Sequence, residues 1–172
     1  TAACLADFGA EVIKIESASY RDPFRRWLSE KPIDADNDLP PFFCATNRNK
    51  LGLCLDLKHP LGRAAFLRLV ARSDVVVENF RPDVKTRLGI DYESLSTENP
   101  RLVYASISGF GQTGPYATRP GFDQVAQGMG GLMSVTGLPG QGPVRVGIPI
   151  ADLCGGIFAA YGITVALLER EQ

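Results

Sequence analysis

The sequence predicts an α/β domain with a mainly parallel sheet and flanking helices. Short runs of alternating or continuous apolar residues, which are typical of strands, follow one another along the chain with helical segments between them. Parallel strands need such crossover helices, so this order favours a parallel sheet. The chain has 172 residues, 45% of them hydrophobic and 22% charged, which suits one globular domain with a buried core.

The first part of the chain predicts a helix, two strands and a long excursion. The opening residues form the last turns of an amphipathic helix that ends at Gly9. Residues 11–16 alternate apolar and charged side chains, as a strand does. Residues 17–41 are polar, contain proline and lack periodicity, which predicts an irregular segment. Residues 51–57 alternate again and predict a second strand.

The middle of the chain predicts one strand among three helices. Residues 60–72 have helical periodicity and begin with a proline, which the first turn of a helix accepts. The apolar run at residues 74–79 is typical of a buried parallel strand. A shorter helix at residues 82–88 ends at Gly89, and another at residues 92–98 ends before an Asn-Pro pair.

The last part of the chain predicts a strand at residues 102–108 and then a loop rich in glycine and proline over residues 109–121. Residues 122–133 are predicted to be helical, and residues 144–150 to be extended. A long apolar helix is predicted over residues 153–170. These elements complete the α/β pattern.

Charge and hydropathy exclude several classes of protein. The 18 Lys and Arg residues nearly balance 19 Asp and Glu, so the chain lacks the positive surface of a dedicated nucleic-acid binder. Long apolar runs are interrupted by charge or glycine, and no signal peptide is recognisable, so we expect a cytoplasmic protein without a membrane span. The chain begins without Met inside one helix and closes inside another. We therefore expect a piece of a longer protein.

The cysteines and the histidine do not predict a metal site. Cys4, Cys44, Cys54 and Cys154 are far apart, form no CxxC pair and have only His59 as a further ligand. We expect reduced thiols in the core. A Cys–His nucleophilic pair stays open, although His59 precedes a proline in a turn that we expect to face solvent.

A GxGxxG pattern at residues 109–114 follows a predicted strand, as it does in dinucleotide-binding sites. Such a site needs a helix directly after the pattern to receive the pyrophosphate. Pro115 and Pro120 prevent a regular helix there, and no acidic residue lies at the ribose position. We interpret the segment as a flexible turn and expect no permanently bound nucleotide cofactor.

One carboxylate is predicted at the edge of the sheet where α/β proteins bind ligands. Asp152 follows the predicted extended segment and precedes a long apolar helix. Gly155 and Gly156 follow it closely and would let a bulky substrate approach. The plainer interpretation is that Asp152 only caps the helix, and position alone favours capping.

Motifs along the whole chain resemble the family III CoA-transferases, the CaiB/BaiF family. They are LADFGAEVIKIE at residues 5–16, NRNK at 47–50, VENFRP at 77–82, NPRLVYASISGFG at 99–111, RPGFD at 119–123 and the segment around Asp152. The resemblance implies a Rossmann-like sheet in the large domain of an interlocked homodimer. Residues 1–172 would form the N-terminal part of that domain, while the small domain and the C-terminal part lie outside.

The resemblance implies that Asp152 is the catalytic aspartate. Its carboxylate would attack the thioester of an acyl-CoA and form a mixed anhydride, and CoA would then form an aspartyl-CoA thioester. An acceptor carboxylate would collect CoA through a second anhydride. Coenzyme A and acyl-CoA are thus substrates, with a small carboxylic acid as the other partner. We expect the helix N-terminus to keep the pKa of Asp152 low enough for ionisation.

The resemblance also implies a set of CoA contacts after the strands. They are Leu55, Lys58, Asn79, Phe80, Arg81 and Arg87. Ordinary surface charge is the alternative interpretation for the three cations. A basic residue that touches CoA in some members is Ser17 here, and a glutamine near the reacting carboxylate would precede Thr1.

Two other functions stay open. An α-methylacyl-CoA racemase of the same superfamily uses an aspartate at this position with the histidine of a Gly-His-Asp segment. The matching residues here are Gly121, Phe122 and Asp123, so the second base is missing and transfer is favoured. A non-catalytic acyl-CoA-binding protein, in which Asp152 is only a cap, is the second alternative.

Overall fold

The computed structural model describes residues 1–25 and 40–172. They divide into two compact units: the first unit is residues 2–71, and the second unit is residues 72–172 together with Thr1. Much of the predicted excursion falls on residues 26–39, outside the described residues. Its described part includes a 3-10 turn at Pro23–Arg25.

The first unit is built on a parallel pair of strands. Its elements are α1 (Ala2–Asp7), β1 (Val12–Glu16), α2 (Pro41–Asn47), β2 (Lys50–Cys54) and α3 (Pro60–Val70). The strands pair in register from Val12 opposite Lys50 to Glu16 opposite Cys54. The sequence did not predict α2, because its 7 residues are too few to establish a helical period.

Phe43 explains why α2 forms where the sequence shows no pattern. Its side chain is 6% exposed, and the guanidinium of Arg25 lies 4.1 Å from the centre of its ring. Arg25 also pairs with Glu16 at the end of β1, with 2.6 Å between Nη2 and Oε2. These contacts join residues that are distant in sequence, so α2 is held by tertiary packing.

The second unit repeats the arrangement with a second parallel pair. Its elements are β3 (Val75–Glu78), α4 (Pro82–Leu88), α5 (Tyr92–Glu98), β4 (Val103–Ser106), α6 (Asp123–Met129), a 3-10 turn at Leu132–Val135 and α7 (Ile150–Arg170). β3 and β4 are in register from Val75 opposite Val103 to Glu78 opposite Ser106. Gly89 ends α4 in the left-handed conformation, with a φ of 63°, as its position after the helix predicts.

The core of the second unit lies where the short helices pack against the strands. Leu95 of α5 is completely buried, and Ile163 of α7 is 3% exposed. Asp91 caps α5 by accepting a hydrogen bond from the N–H of Ser94, at 3.0 Å. The hydroxyl of Tyr104 on β4 donates to the carbonyl of Ile90 at 2.8 Å, which fixes the start of this helix against the strand.

The predicted α/β class is confirmed, and each predicted strand from residues 11 to 108 is present. The described strands pair as two separate two-stranded sheets, one in each unit. The segment predicted to be extended at residues 144–150 pairs with none of the described strands, since Val144 N–H bonds the carbonyl of Met133 and Val146 N–H bonds the side chain of Gln127. Its predicted end was wrong, because Ile150 already belongs to a helix. The helix predicted over residues 122–133 stops at Met129, since Gly131 has a φ of 80°.

Helix α7 begins at Ile150, earlier than predicted, and is long and apolar. Its 21 residues include a window of mean hydropathy 1.7, and 6% of that window is buried. By length and composition alone, α7 could cross a membrane, although Gly155, Gly156 and Gly162 interrupt its apolar run. One such helix is weak evidence for a span.

Candidate active site

Asp152 lies in the first turn of α7 and does not cap it. The helix begins at Ile150, its N-cap residue is Pro149, and Pro149 provides no side-chain hydrogen bond. Asp152 comes after Ile150 and Ala151 inside the helix, so its carboxylate is not at the N-cap position. Among the described residues, the Asp152 carboxylate has no hydrogen-bond partner. The capping interpretation of Asp152 is therefore wrong.

Asp123, the first residue of α6, caps α7 instead. Its Oδ1 accepts hydrogen bonds from the N–H of Ala151 at 2.8 Å and, more weakly, from the N–H of Asp152 at 3.4 Å. These are backbone donors that the first turn of a helix leaves without internal partners. The sequence lacks a capping side chain directly before α7, so a side chain from α6 supplies one.

Gln127 holds Asp123 and the segment that precedes α7. Its side chain is 1% exposed. The amide Nε2 donates to Oδ2 of Asp123 at 2.7 Å and to the carbonyl of Ile148 at 3.4 Å, while Oε1 accepts from the N–H of Val146 at 2.8 Å. A single buried amide thus satisfies polar groups on both sides of the helix start.

The pKa of Asp152 is raised above its ordinary value of 3.8 by partial burial and then by the negative charge of Asp123. The expectation that the helix N-terminus keeps this pKa low enough for ionisation stays a prediction. Burial is the larger cause of the raised pKa, and the negative charge of Asp123, which accepts hydrogen bonds from the helix start, is the second. The carboxylate is thus more basic than an ordinary aspartate.

Open space lies beside this carboxylate. Gly155 is one turn further along α7, on the same side of the helix, and a Cβ placed on it would meet nothing within 4 Å. A bulky acyl group could therefore approach Asp152 over this glycine.

The structure brings two of the predicted CoA-binding cations together. Arg81 precedes α4 and Arg87 lies near its end, and both approach Oδ2 of Asp83, at 3.4 and 3.7 Å. Their side chains are 58% and 69% exposed. Asn79 and Phe80 lie directly after β3, and both are exposed. This end of the strand therefore presents polar, aromatic and cationic groups to solvent.

Leu55 and Lys58 lie in the first unit, after the end of β2. Leu55 N–H donates to the carbonyl of Glu16 at 2.8 Å and so continues the pairing with β1. Lys58 lines an open cleft of about 340 Å³. The other residues of the cleft are Pro60, Arg63, Ala64 and Leu67. Two cationic residues in one cleft are suited to an anionic ligand.

The described residues contain no group of His, Cys, Asp and Glu side chains that could hold a metal ion. None of the four cysteines, all in the described part of the chain, forms a disulfide, but Cys44 and Cys54 are exposed, so the prediction that the cysteines lie in the core is wrong for these two. His59 caps α3, with its Nδ1 accepting from Leu61 N–H at 3.2 Å, which gives it a structural role.

The glycines of the GxGxxG pattern have a steric explanation. A Cβ on Gly109 would lie 2.3 Å from Cα of Gly121, so the two ends of the loop cross in backbone contact. Gly111 and Gly114 have φ values of 80° and 96°. No helix follows Gly114, as predicted, so the segment lacks the geometry of a dinucleotide site.

Sequence reasoning missed the roles of Asp123 and Gln127. Asp123 belongs to a motif that carried the resemblance, and Gln127 follows it at a separation of 4 residues on one helix face. That spacing of two polar residues was a usable signal for paired side chains. Their partners at residues 146–152 were not predictable, because the segment between them is irregular.

Comparisons with known proteins agree with this organisation. The family model described as CoA-transferase family III matches residues 1–172. The succinate–glutarate CoA-transferase of Agrobacterium fabrum is 46% identical over 167 residues, covering 96% of this chain and 42% of the relative. The acetyl-CoA:oxalate CoA-transferase of Acetobacter aceti is 47% identical over 169 residues, covering 98% and 42%.

Solved structures give the same result. A crystal structure of a CaiB/BaiF family protein from Brucella suis matches with a TM-score of 0.89 at 43% identity, covering 97% of this chain and 44% of that chain. The chain thus spans 42% of the length of the two curated relatives described above.

Proposed function

Because this chain belongs to CoA-transferase family III, whose model matches its full length, we propose that the whole protein transfers CoA from an acyl-CoA to a carboxylic acid. The names of similar proteins support this reaction class. They include transferases that act on succinate and glutarate, on oxalate and, in Chloroflexus aurantiacus, on D-citramalate. We therefore propose a small dicarboxylic acid as the acceptor.

Asp152 is the proposed nucleophile. Its carboxylate attacks the acyl carbon of the donor, the C–S bond breaks, and an acyl-aspartyl anhydride and CoA thiolate form. The thiolate attacks the aspartyl carbonyl and releases the donor as a carboxylate, which leaves an aspartyl-CoA thioester. The acceptor carboxylate then displaces the thiolate, and the thiolate attacks the acceptor carbonyl of the second anhydride. Asp152 is regenerated, and no thioester energy is lost to water.

The observation that carries this proposal is that the Asp152 carboxylate does not cap α7, because Asp123 does so instead. Asp123 accepts the hydrogen bonds from the helix start, so Asp152 is near the positive end of α7 without donors bound to its oxygens. Its raised pKa makes it more basic and hence a better nucleophile than an ordinary aspartate. The open space at Gly155 admits the thioester.

We assign each predicted CoA contact to a part of the ligand from the chemistry of its side chain. Arg81 and Arg87 are exposed cations at a shared carboxylate, and they would meet phosphate groups of CoA. Asn79 and Phe80 would contact the same ligand from the end of β3. In the first unit, Leu55 would contact the nucleotide and Lys58 would supply positive charge from its cleft.

The racemase alternative is not favoured by any observation. Its histidine position is Phe122, which carries no base, and Asp123 is engaged with Ala151 and Gln127. The interlocked homodimer, the cytoplasmic location and the assignment of residues 1–172 to the N-terminal part of a large domain stay predictions.

The test compares the whole protein with its Asp152→Asn variant. Each is incubated with succinyl-CoA or acetyl-CoA and a panel of carboxylic acids, and new acyl-CoA species are measured by mass spectrometry. We expect a new thioester from the wild type and a loss of more than about 1,000-fold in Asp152→Asn, because the amide is not a nucleophile. Hydroxylamine should trap a hydroxamate on Asp152 only in the wild type.

Glu98→Gln is the matched control, because Glu98 is an exposed carboxylate at the end of α5. It should transfer CoA like the wild type. Epimerisation of a 2-methylacyl-CoA without transfer would establish the racemase instead. CoA binding without either reaction would support the binding protein, and full activity in Asp152→Asn would refute the proposed nucleophile.

A further inference from the structure

A buried ion pair lies beneath the segment that follows β3. Glu78, the last residue of β3, has a side chain that is 4% exposed, and Lys85 of α4 has one that is 11% exposed. Their Nζ and Oε1 atoms are 3.3 Å apart. Burying two charges is costly, so such a pair persists only where further hydrogen bonds complete it.

The hydrogen bonds of Lys85 are complete, which excludes it as a direct anion ligand. An ammonium group has three donors. Besides Glu78, the Lys85 ammonium donates to Oγ of Ser106 at 3.0 Å and to Oε1 of Gln112 at 2.5 Å. With each donor engaged inside the protein, Lys85 acts on its neighbours and not on solvent.

Glu78 connects the buried ion pair to the exposed segment after β3. Its Oε2 accepts from the N–H of Phe80 at 2.7 Å, which fixes the backbone of Asn79 and Phe80 directly after the strand. Its Oε1 accepts from the hydroxyl of Ser106 on β4. The carboxylate therefore joins the ends of both strands to the exposed segment.

Gln112 extends the connection to the glycine-rich loop. Its Oε1 accepts from Lys85, and its Nε2 donates to Oγ of Ser108 at 3.1 Å. Glycines occupy positions 109, 111 and 114 of this loop. Lys85 therefore links the loop and the segment after β3 through one atom.

We propose that Glu78 and Lys85 are positioning residues for CoA binding, which hold the segment Asn79–Arg81 through Phe80 N–H and hold the glycine-rich loop through Gln112. This inference rests on the proposed function, because it takes Asn79–Arg81 as a CoA contact. Lys85 also neutralises a buried carboxylate next to a segment that would receive a polyanion, and an uncompensated Glu78 would repel that ligand.

The test is Lys85→Met in the whole protein, with Arg68→Met on α3 as the control, because Arg68 is an exposed cation. We expect the KM for succinyl-CoA to rise roughly tenfold or more in Lys85→Met, since a charge-assisted hydrogen bond is lost and Glu78 is left unpaired. The kcat at saturating succinyl-CoA should change less than about twofold, because Asp152 is untouched. Arg68→Met should change neither value.

The double variant Glu78→Gln, Lys85→Met separates positioning from general destabilisation. The amide oxygen of the introduced glutamine would still accept from Phe80 N–H but carries no charge. The part of the affinity for succinyl-CoA that the unpaired Glu78 charge removes should therefore return, while the part lost with the Gln112 contact should not. This variant also decides the question if Lys85→Met fails to fold. An unchanged KM in Lys85→Met would overturn the inference. So would a KM in the double variant that is no lower than in Lys85→Met while the unfolding midpoint of the double variant matches the wild type.

The positioning role can be tested even if the proposed CoA transfer is wrong. If the wild type transfers no CoA, the Kd for CoA is measured by calorimetry in the same variants. A Kd that rises in Lys85→Met supports the positioning role without the reaction. No binding of CoA by the wild type, or an equal Kd in the variants, overturns it.

Discussion

Replacing Gln127 by leucine tests whether one buried amide holds the start of α7. The side chain is 1% exposed and makes hydrogen bonds of 2.7, 2.8 and 3.4 Å to Asp123, Val146 and Ile148. Leucine has a similar size and keeps the apolar contacts, so the change removes mainly the hydrogen bonds. It leaves a carboxylate oxygen, an N–H and a carbonyl without their partner.

Each buried polar group left unpaired costs about 1–3 kcal/mol. The bond to Ile148 is long and contributes little, and water can reach part of Asp123. We therefore expect Gln127→Leu to lower the free energy of unfolding by about 2–4 kcal/mol. Because the same amide holds the segment before Asp152, kcat for CoA transfer should fall as well.

Gln124→Leu is the matched control, since Gln124 is an exposed glutamine on the same helix. Its free energy of unfolding should stay within about 0.5 kcal/mol of the wild type. The measurement is urea unfolding of the whole protein, comparing transition midpoints at equal slope. If Gln127→Leu shifts the midpoint no more than Gln124→Leu does, the amide does not hold the helix start.

Two further variants address the charge at α7 and the crossing of the glycine-rich loop. Burial and then the charge of Asp123 raise the pKa of Asp152, and Asp123→Asn removes that charge. The pKa of Asp152 should therefore fall, and the acid limb of the pH–rate profile for CoA release should move to lower pH. An unmoved limb would show that Asp123 does not influence the ionisation of Asp152. Gly109→Ala places a Cβ 2.3 Å from Cα of Gly121 and should destabilise the protein by about 1–3 kcal/mol. Gly147→Ala meets nothing within 4 Å, and equal urea midpoints for the two variants would disprove the steric explanation.

The strands were predictable because their information is local. Alternation at residues 11–16 and the apolar run at 74–79 depend only on neighbouring side chains, and both form strands. Residues 144–150 have a similar apolar content, yet Val146 N–H bonds the side chain of Gln127. Sequence alternation cannot show that a backbone donor already has a side-chain partner.

The position of Asp152 was predictable, but its environment was not. The end of an apolar segment and the start of a long helix placed it correctly near the helix N-terminus. Its pKa is raised first by burial and then by the charge of Asp123, whose bonds to Ala151 and Asp152 span 28 and 29 residues. A sequence pattern suggests that a carboxylate near a helix start is stabilised by the helix, and only tertiary structure shows which carboxylate receives the hydrogen bonds.

Asp123 and Asp152 have different relations to the same helix N-terminus, and the difference favours Asp152 as nucleophile. Free N–H groups at a helix start stabilise an anion and make it less basic. Asp123 accepts from two of them, so Asp152 has the field of the helix without its hydrogen bonds. A less stabilised carboxylate is more basic, and reactivity rises with basicity. As long as the pKa of Asp152 stays below the pH of the reaction, it gains reactivity and stays ionised.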